Sequence, residues 1–309
     1  MTGVAPSSTF FTDPPHWQWL IILYFFIGGL AGGCYFLAVL VDFFGRAADR
    51  PLARLGYVIA FPAVLVSGLL LILDLSRPER FWHMLLESNT WQPMFKSYSP
   101  MSAGSWILLA FGAVSFVSFL AALRDAGRLR WRWLDALRPR SIVGGLVGVL
   151  GGVLAFFFAS YTGVLLAVTN RPIWSDTPLL GLNFLISAAS TSAALLVLLG
   201  LRRRRTVLGV LALERFDAWL LVLELVALVA LVVSLGEVAR AWLDAWGALL
   251  VVGVVIAGIL APLFLMWRGG LRVTGGGLSM ALAALLVLVG GFIFRVVIVL
   301  SSERITWGA

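Results

Sequence analysis

Eight long apolar segments, joined by short polar connections, account for most of this 309-residue chain. Each is about as long as the roughly 20 residues that a helix needs to cross a membrane. None shows the strict alternation of a barrel strand, and only helices or closed barrels satisfy the backbone in lipid. We therefore predict an all-α, polytopic membrane protein, with eight transmembrane helices in one bundled domain over 1–309. The predicted spans are 17–43, 51–74, 102–123, 141–168, 178–200, 212–235, 246–267 and 278–300.

The arginines predict how the bundle is oriented. Sixteen of the 23 Lys and Arg residues lie on four alternate connections. They are Arg46, Arg50, Arg54, Arg124, Arg128, Arg130, Arg132, Arg138, Arg140, Arg202, Arg203, Arg204, Arg205, Arg215, Arg268 and Arg272. Because cytoplasmic loops carry the excess of basic residues, both termini are predicted to be extracytoplasmic, in a bacterial inner membrane. The net charge of +8 then reflects topology and gives no reason to expect nucleic acid as a partner.

Few side chains in the chain can bind a redox metal. It has two histidines, His16 and His83, and a single cysteine, Cys34. A transmembrane haem needs histidines buried on helices, and an iron–sulfur cluster needs several cysteines. We therefore expect no haem, no iron–sulfur cluster and no other metal in this chain.

Several polar groups occur in or beside the spans on the side opposite the arginine-rich connections, where their presence is costly. They are His16, Asp74, Tyr161, Asn170, Arg171 and Arg295. Together they describe a pocket with Tyr and His donors and charged groups. Each also has an ordinary structural interpretation. Asp74 and Arg77 could pair with each other, Arg295 could extend to the lipid headgroups, and Tyr161 could be a buried core tyrosine.

Three acidic residues follow one stripe of the sixth span. Glu214, Asp217 and Glu224 share a helical face, since seven residues make almost two turns. Ion pairing with Arg202–Arg205 at the interface would explain Glu214 and Asp217. Glu224 lies near the middle of the membrane, where a carboxyl is either neutral or exchanging protons. These residues are candidates for a proton path, whereas Asp42 is predicted to be interfacial.

Three stretches carry a resemblance to a known family. They are HWQWLIILYFFIGGLAGGCYFLA, then LDLSRPERFWHML followed by SPMSAGSW, and YTGVLLAVTNRPIW with TPLL after it. At these residues the chain resembles the polysulfide reductase membrane-subunit family, also called the NrfD family. The resemblance implies about eight helices and a quinone site near the outer face, with no cofactor held in the subunit itself. It also implies a peripheral partner with several iron–sulfur clusters, often completed by a molybdopterin catalytic subunit.

Carried over by motif, His16 and Tyr161 would hydrogen-bond the quinone, either menaquinone or ubiquinone. Asp74, Arg77 and Arg171 would line or shape the site. Electrons would then enter or leave through a partner docked outside, on the loops 74–102 and 169–178. The residues expected to contact that partner are Arg80, Trp82, His83 and Asn170. Within the first loop, the segment from Pro78 to Glu87 is predicted to form an amphipathic helix.

We therefore hypothesise that the protein is a quinone-reactive membrane subunit of a respiratory oxidoreductase. A secondary hypothesis adds proton translocation through Glu214, Asp217 and Glu224. Two other functions fit the same residues. One is a secondary transporter that uses Glu224 and Arg295 as coupling charges. The other is an anchor that binds the partner and does no quinone chemistry.

Overall fold

The computed structural model describes residues 16–137, 141–202, 207–270 and 277–304. Within these ranges, eight helices are long and apolar enough to cross a membrane, which confirms the predicted fold class. The first six are α1 Trp19–Phe44, α2 Arg50–Asp74, α3 Pro100–Asp125, α4 Ile142–Ala167, α5 Leu180–Gly200 and α6 Val207–Leu235. The last is α8, Gly277–Ser301.

The seventh span, α7, is continuous but not uniform. It begins as an α-helical turn at Ala245–Leu249, continues as a π-helix over Leu250–Leu260, and returns to α-helix at Ala261–Gly270. Hydropathy gave no sign of the π-helical stretch. The helix ends otherwise lie close to the predicted spans, except that α6 begins at Val207 rather than at about 212.

Because eight helices alternate in direction, the bundle has two distinct ends. The arginine-rich connections join α1 to α2, α3 to α4, α5 to α6 and α7 to α8, and we call that end the arginine-rich face. The opposite end, with the loops 75–99 and 168–179 and the start of α1, is called the loop face. Serines begin two of the helices: the Ser99 hydroxyl accepts from the Ser102 N–H of α3, and the Ser141 hydroxyl accepts from the Gly144 N–H of α4.

Helix α1 is the centre of the bundle and packs against α2, α4 and α5. Its glycines allow that close approach. A Cβ atom added at Gly32 would lie 2.7 Å from the Ala155 carbonyl oxygen of α4, and one at Gly33 would lie 2.2 Å from the Ser192 hydroxyl of α5. The small residues four apart therefore bring backbones together.

The loop between α2 and α3 is folded. Its first part is a 3₁₀ helix, Pro78–Met84, so the segment predicted to form an amphipathic helix is helical over its first seven residues. The Trp82 ring stacks on Trp91, with 5.2 Å between centroids and 5° between planes. The Trp106 indole of α3 donates to the Met94 carbonyl over 2.9 Å, which ties the loop to the bundle. The loop therefore offers a defined surface at the loop face.

Candidate functional site

His16, just ahead of α1, meets a charged pair from distant parts of the chain. Its Nδ1 lies 2.7 Å from Arg171 Nη2 and 4.0 Å from the nearer oxygen of Glu303. Arginine is always protonated and can only donate, so Nδ1 accepts this hydrogen bond. In the neutral ring, Nε2 then carries the proton. Because the His16 side chain is 72% exposed, this N–H remains available to a ligand or to water.

Arg171 is held firmly in this position. It is buried, and its Nη1 donates to the Ser302 carbonyl oxygen over 3.4 Å. Its guanidinium lies 5.5 Å from the ring of Trp174, whose indole donates to the Ile298 carbonyl oxygen of α8. Burial lowers the pKa of the Arg171 guanidinium from its ordinary value, and the Glu303 carboxylate acts in the opposite direction. The charge is therefore kept in a fixed place at the loop face.

A strained turn at Ile173 lies between Arg171 and Trp174 and sets their relative positions. Ile173 has φ 71°, a left-handed conformation that a β-branched residue rarely adopts. Its N–H donates to the Asp176 carboxylate over 2.8 Å, and its side chain is buried. Strain of this kind persists where the surroundings fix the backbone, often at a functional site. Nothing in the local sequence predicts this conformation.

Tyr161 lies on α4, half-buried against α3. Its ring fills the space beside Gly104, where an added Cβ would lie 2.0 Å from Tyr161 Cζ. Tyr24 of α1 is close enough to interact with it electrostatically. Among the described residues, neither tyrosine hydroxyl makes a hydrogen bond to another side chain or to the backbone. Between α1, α3 and α4, Tyr24 is thus almost fully buried and Tyr161 half-buried, and both hydroxyls lack a protein partner among the described residues.

Aromatic rings connect the two groups. Trp17 stacks on Trp174 with 5.4 Å between centroids and meets Phe25 edge-on at 6.3 Å. Phe25 in turn lies 5.4 Å from Tyr24. In the described part of the chain, no hydrogen bond joins His16 directly to Tyr161. The candidate site therefore has two parts: an outer cluster of His16, Arg171 and Glu303, and the tyrosine pair of Tyr24 and Tyr161.

The other predicted site residues are spread along the loop face. Asp74 and Arg77 are exposed at the end of α2, and no ion pair joins them in the described structure. Of the predicted docking residues, Arg80 is exposed. The Trp82 and His83 rings make an edge contact at 3.9 Å, and Asn170 is partly buried beside Arg171.

A second polar network lies inside the membrane, where α5, α6 and α8 meet. Arg295 is fully buried, donating from Nη1 to the Ser187 hydroxyl over 3.2 Å and from Nε to the Phe25 carbonyl oxygen over 3.3 Å. Its extension to the headgroups is therefore ruled out. The Glu224 carboxyl lies beside Ser187 and interacts with Arg295. Glu224 of α6 therefore has a basic partner, Arg295 of α8, which lies far from it in the sequence.

Asp217 continues this network toward the arginine-rich face. It is buried, and one carboxyl oxygen accepts from the Ser190 hydroxyl over 2.7 Å. Its other oxygen is buried with no hydrogen bond to a described residue. Arg203, Arg204 and Arg205, which were considered as ion-pair partners of Asp217, lie outside the described residues. Glu214 is half-buried near Arg215.

The serines beside these carboxyls were missed in the sequence. Ser187 and Ser190 lie about one turn apart on α5, so they contact Glu224 and Asp217 in turn. The sequence did contain a sign of this polar face, because polar residues recur at helical spacing along α5. They are Asn183, Ser187, Ser190 and Thr191. Tyr24 and Glu303 were also missed, since nothing in their local sequence marks them.

The contact between Tyr161 and Gly104 can be tested by adding one methyl group. Gly104→Ala is expected to lower the stability of the protein by about 1–3 kcal/mol, since the new atom overlaps the Tyr161 ring. Gly112→Ala is the matched control on the same helix, because its nearest neighbour is a Val64 methyl at 3.5 Å. Thermal unfolding in detergent compares the two. Equal unfolding midpoints would contradict the contact.

Comparison with known proteins identifies the relatives. The family model described as "Polysulphide reductase, NrfD" matches residues 7–305. The chain belongs to this family. It is 30% identical to the protein NrfD of Escherichia coli, a match that spans 65% of either protein. It is 28% identical to the C chain of the polysulfide reductase of Wolinella succinogenes, over 93% of the present sequence and 94% of that protein. It is 26% identical to an NrfD homolog of Haemophilus influenzae, over 80% of the present sequence and 82% of that protein. The resemblance noted in the three sequence stretches is confirmed.

Proposed function

We propose that this protein is the membrane subunit of a respiratory reductase-type complex, where it exchanges electrons between the quinone pool and an iron–sulfur partner outside the membrane. Family membership and the names of the relatives, one of which belongs to a polysulfide reductase, support a reductase membrane subunit. The arginine distribution supports an orientation with the loop face extracytoplasmic, in the bacterial inner membrane.

The observation that carries the quinone proposal is the Tyr161 hydroxyl, which is half-buried within the membrane and makes no hydrogen bond among the described residues. A polar group in that position is costly unless a ligand bonds to it. A quinone offers two carbonyl oxygens as acceptors and arrives through the lipid. Tyr161, with Tyr24 beside it, would donate to one of these oxygens.

His16 and Arg171 would serve the side of the site nearest to water. Quinone reduction consumes two electrons and two protons, and quinol oxidation releases them. The exposed His16 Nε2–H can donate to a quinone oxygen or exchange its proton with water. A protonated His16 would lose its bond from Arg171, because Nδ1 would then be a donor, and Glu303 is the neighbouring acceptor. Arg171 therefore suits the neutral His16 ring, whereas Glu303 suits a protonated one.

Electrons would reach this site from a docked partner that carries the metal clusters. The loop 75–99 exposes large aromatic side chains together with Arg77 and Arg80. The most exposed are Trp91, Phe95 and Tyr98. Aromatic and arginine side chains are enriched at protein interfaces. We propose this loop and the 168–179 turn as the docking surface for a protein with several iron–sulfur clusters, which a molybdopterin-type catalytic subunit would complete.

Replacing Tyr161 with phenylalanine tests the proposal. Loss of one hydrogen bond to the quinone should lower quinone-linked turnover about tenfold, while the complex still assembles. Ser160→Ala is the control, since it removes a neighbouring hydroxyl of α4 that bonds to the Phe156 carbonyl oxygen of its own helix over 3.0 Å. Turnover is measured on the purified complex with a soluble quinone analogue. Unchanged activity in Tyr161→Phe would refute the role of this hydroxyl.

Proton translocation is a further part of the proposal. Glu214, Asp217 and Glu224, with Ser190 and Ser187 between them, form a polar line from the arginine-rich face to the membrane centre. Protons taken up there would make turnover generate a membrane potential. In vesicles that hold the complex, we expect a voltage that Glu224→Gln lowers. Active vesicles that develop no voltage with Glu224 intact would remove this part.

A further inference from the structure

A cavity opens at the arginine-rich face between the ends of α1, α2, α3 and α4. Its volume is about 50 Å³, enough to hold water. Its lining combines polar and charged groups with small residues of α4. The polar and charged lining residues are Asp42, Arg50, Arg54, Tyr57, Ser118 and Asp125. None of these belongs to the α5–α6 network.

Asp42 is the group in this cavity that lacks a full set of partners. One of its carboxyl oxygens is buried and makes no hydrogen bond with a described residue. The Tyr57 hydroxyl lies beside the carboxyl, and Arg50, Arg54 and Asp125 are its charged neighbours. Arg54 pairs with Asp125, which neutralises those two charges. Asp42 therefore lines the cavity and keeps one buried carboxyl oxygen without a hydrogen bond to a described residue.

Polar side chains continue from Asp42 into the membrane. The Tyr57 ring meets Tyr35 edge-on, with 5.1 Å between centroids. The Tyr35 hydroxyl lies 2.7 Å from the Ser118 hydroxyl of α3. Gly151 of α4 makes room for it, because an added Cβ would lie 2.1 Å from the Tyr35 oxygen. A tyrosine hydroxyl is thus positioned on the membrane side of the cavity.

A second unpartnered group lies farther toward the loop face. The Ser67 hydroxyl of α2 is fully buried and has no hydrogen bond to a described residue. It faces α1 at Gly28, where an added Cβ would be 3.5 Å away. Leaving a buried hydroxyl unbonded is unfavourable, and internal water is its usual partner. Asp42 and Ser67 are therefore two separate groups within α1–α4 whose hydrogen bonding internal water would complete.

We propose that α1–α4 contain a second proton path, which leads from the arginine-rich face through Asp42, Tyr57, Tyr35 and Ser118 to Ser67 and the tyrosine pair. A proton from cavity water would bind the Asp42 carboxylate and pass on through hydroxyls and waters. Each hydroxyl accepts one proton as it donates another, so none is consumed. This inference rests on the proposed function, because the protons would be used by the quinone held at Tyr161.

Two variants interrupt the path at different points, each with a matched control. Asp42→Asn removes the proton-accepting group, and Asp135→Asn is its control, a carboxylate at the same face that pairs with Arg124 outside the cavity. Gly151→Ala displaces the Tyr35 hydroxyl. Gly152→Ala is its control, because its nearest neighbour is a Val39 methyl at 3.6 Å.

The complete complex is reconstituted in vesicles, and the arginine-rich face is supplied with a pH-sensitive dye. Every sample carries Glu224→Gln, so that the α5–α6 line does not contribute to proton uptake. During quinone reduction we then expect Asp42→Asn to slow proton uptake from that side about 10²-fold, and Gly151→Ala to slow it about tenfold. Quinone affinity should stay unchanged, and both controls should match the Glu224→Gln parent. Assembled Asp42→Asn with normal uptake would overturn the path. If the wild-type complex neither binds nor reduces quinone, it is the proposed function that fails.

A measurement on the unmodified complex keeps the proposal testable even if the variants do not assemble. Hydroxyl radicals generated from water inside the protein oxidise nearby tyrosines. We expect Tyr57 and Tyr35 to be oxidised despite their burial, and Phe184, buried between α1, α5 and α8, to be protected. Protection of both tyrosines would exclude internal water at the cavity and contradict the path.

Discussion

Replacing Arg171 with glutamine should lower quinone-linked turnover about 10²-fold, as expected when a catalytic group is displaced by about 1 Å. The guanidinium holds His16 through a 2.7 Å hydrogen bond and is itself fixed by the Ser302 carbonyl and the Trp174 ring. A glutamine is shorter and uncharged, so it neither reaches His16 in the same way nor balances Glu303. Steady-state turnover of the purified complex with a quinol analogue measures the effect.

Arg240→Gln is the control for that experiment. Arg240 lies at the loop face after α6, is 73% exposed, and pairs only with nearby Glu237 among the described residues. Its replacement should leave turnover within about twofold of the wild type, because exposed ion pairs contribute little. If Arg171→Gln matched this control while the complex stayed assembled, the outer cluster would have no part in the reaction.

Replacing Arg295 with methionine should destabilise the protein by about 3–5 kcal/mol, because it leaves the Glu224 carboxyl buried without its basic partner. The Ser187 hydroxyl and the Phe25 carbonyl would also lose a donor. The combined variant Glu224→Leu, Arg295→Met removes both charges and should recover most of the lost stability. Thermal unfolding of the solubilised complex gives the three midpoints.

The same pair of variants separates stability from function. If the α5–α6 line carries protons, the double variant should be stable and still reduce quinone, while it generates less voltage in vesicles. A double variant that is no more stable than Arg295→Met would show that the two charges do not stabilise each other. Full voltage in the double variant would mean that the α5–α6 line does not carry protons.

The fold was largely predictable, because long apolar segments in lipid must be helices. The start of α6 was placed too late, since residues 207–211 are uncharged and hydropathy alone does not mark the residue at which the helix begins. The π-helical stretch in α7 could not be predicted. It consists of apolar residues whose local sequence does not distinguish the two kinds of helix.

The residues of the site were easier to find than their partners. His16 and Arg171 were both named, but their contact joins residues 155 positions apart and depends on α8 bringing Ser302 and Glu303 alongside. The interpretation of Arg295 was wrong because its side chain could reach lipid or protein. Gly29 decides between them: an added Cβ there would lie only 3.1 Å from Arg295 Nη2, so glycine leaves room for the guanidinium.

The role of the quinone is tested most directly by photolabelling the intact complex with an azido-quinone and mapping the labelled peptides. The account predicts labels at the start of α1, at the end of α4 around Tyr161 and in the 168–179 turn, each suppressed by excess unmodified quinone. Labels confined to lipid-facing side chains such as Val226 and Val233 of α6, unaffected by competing quinone, would contradict it.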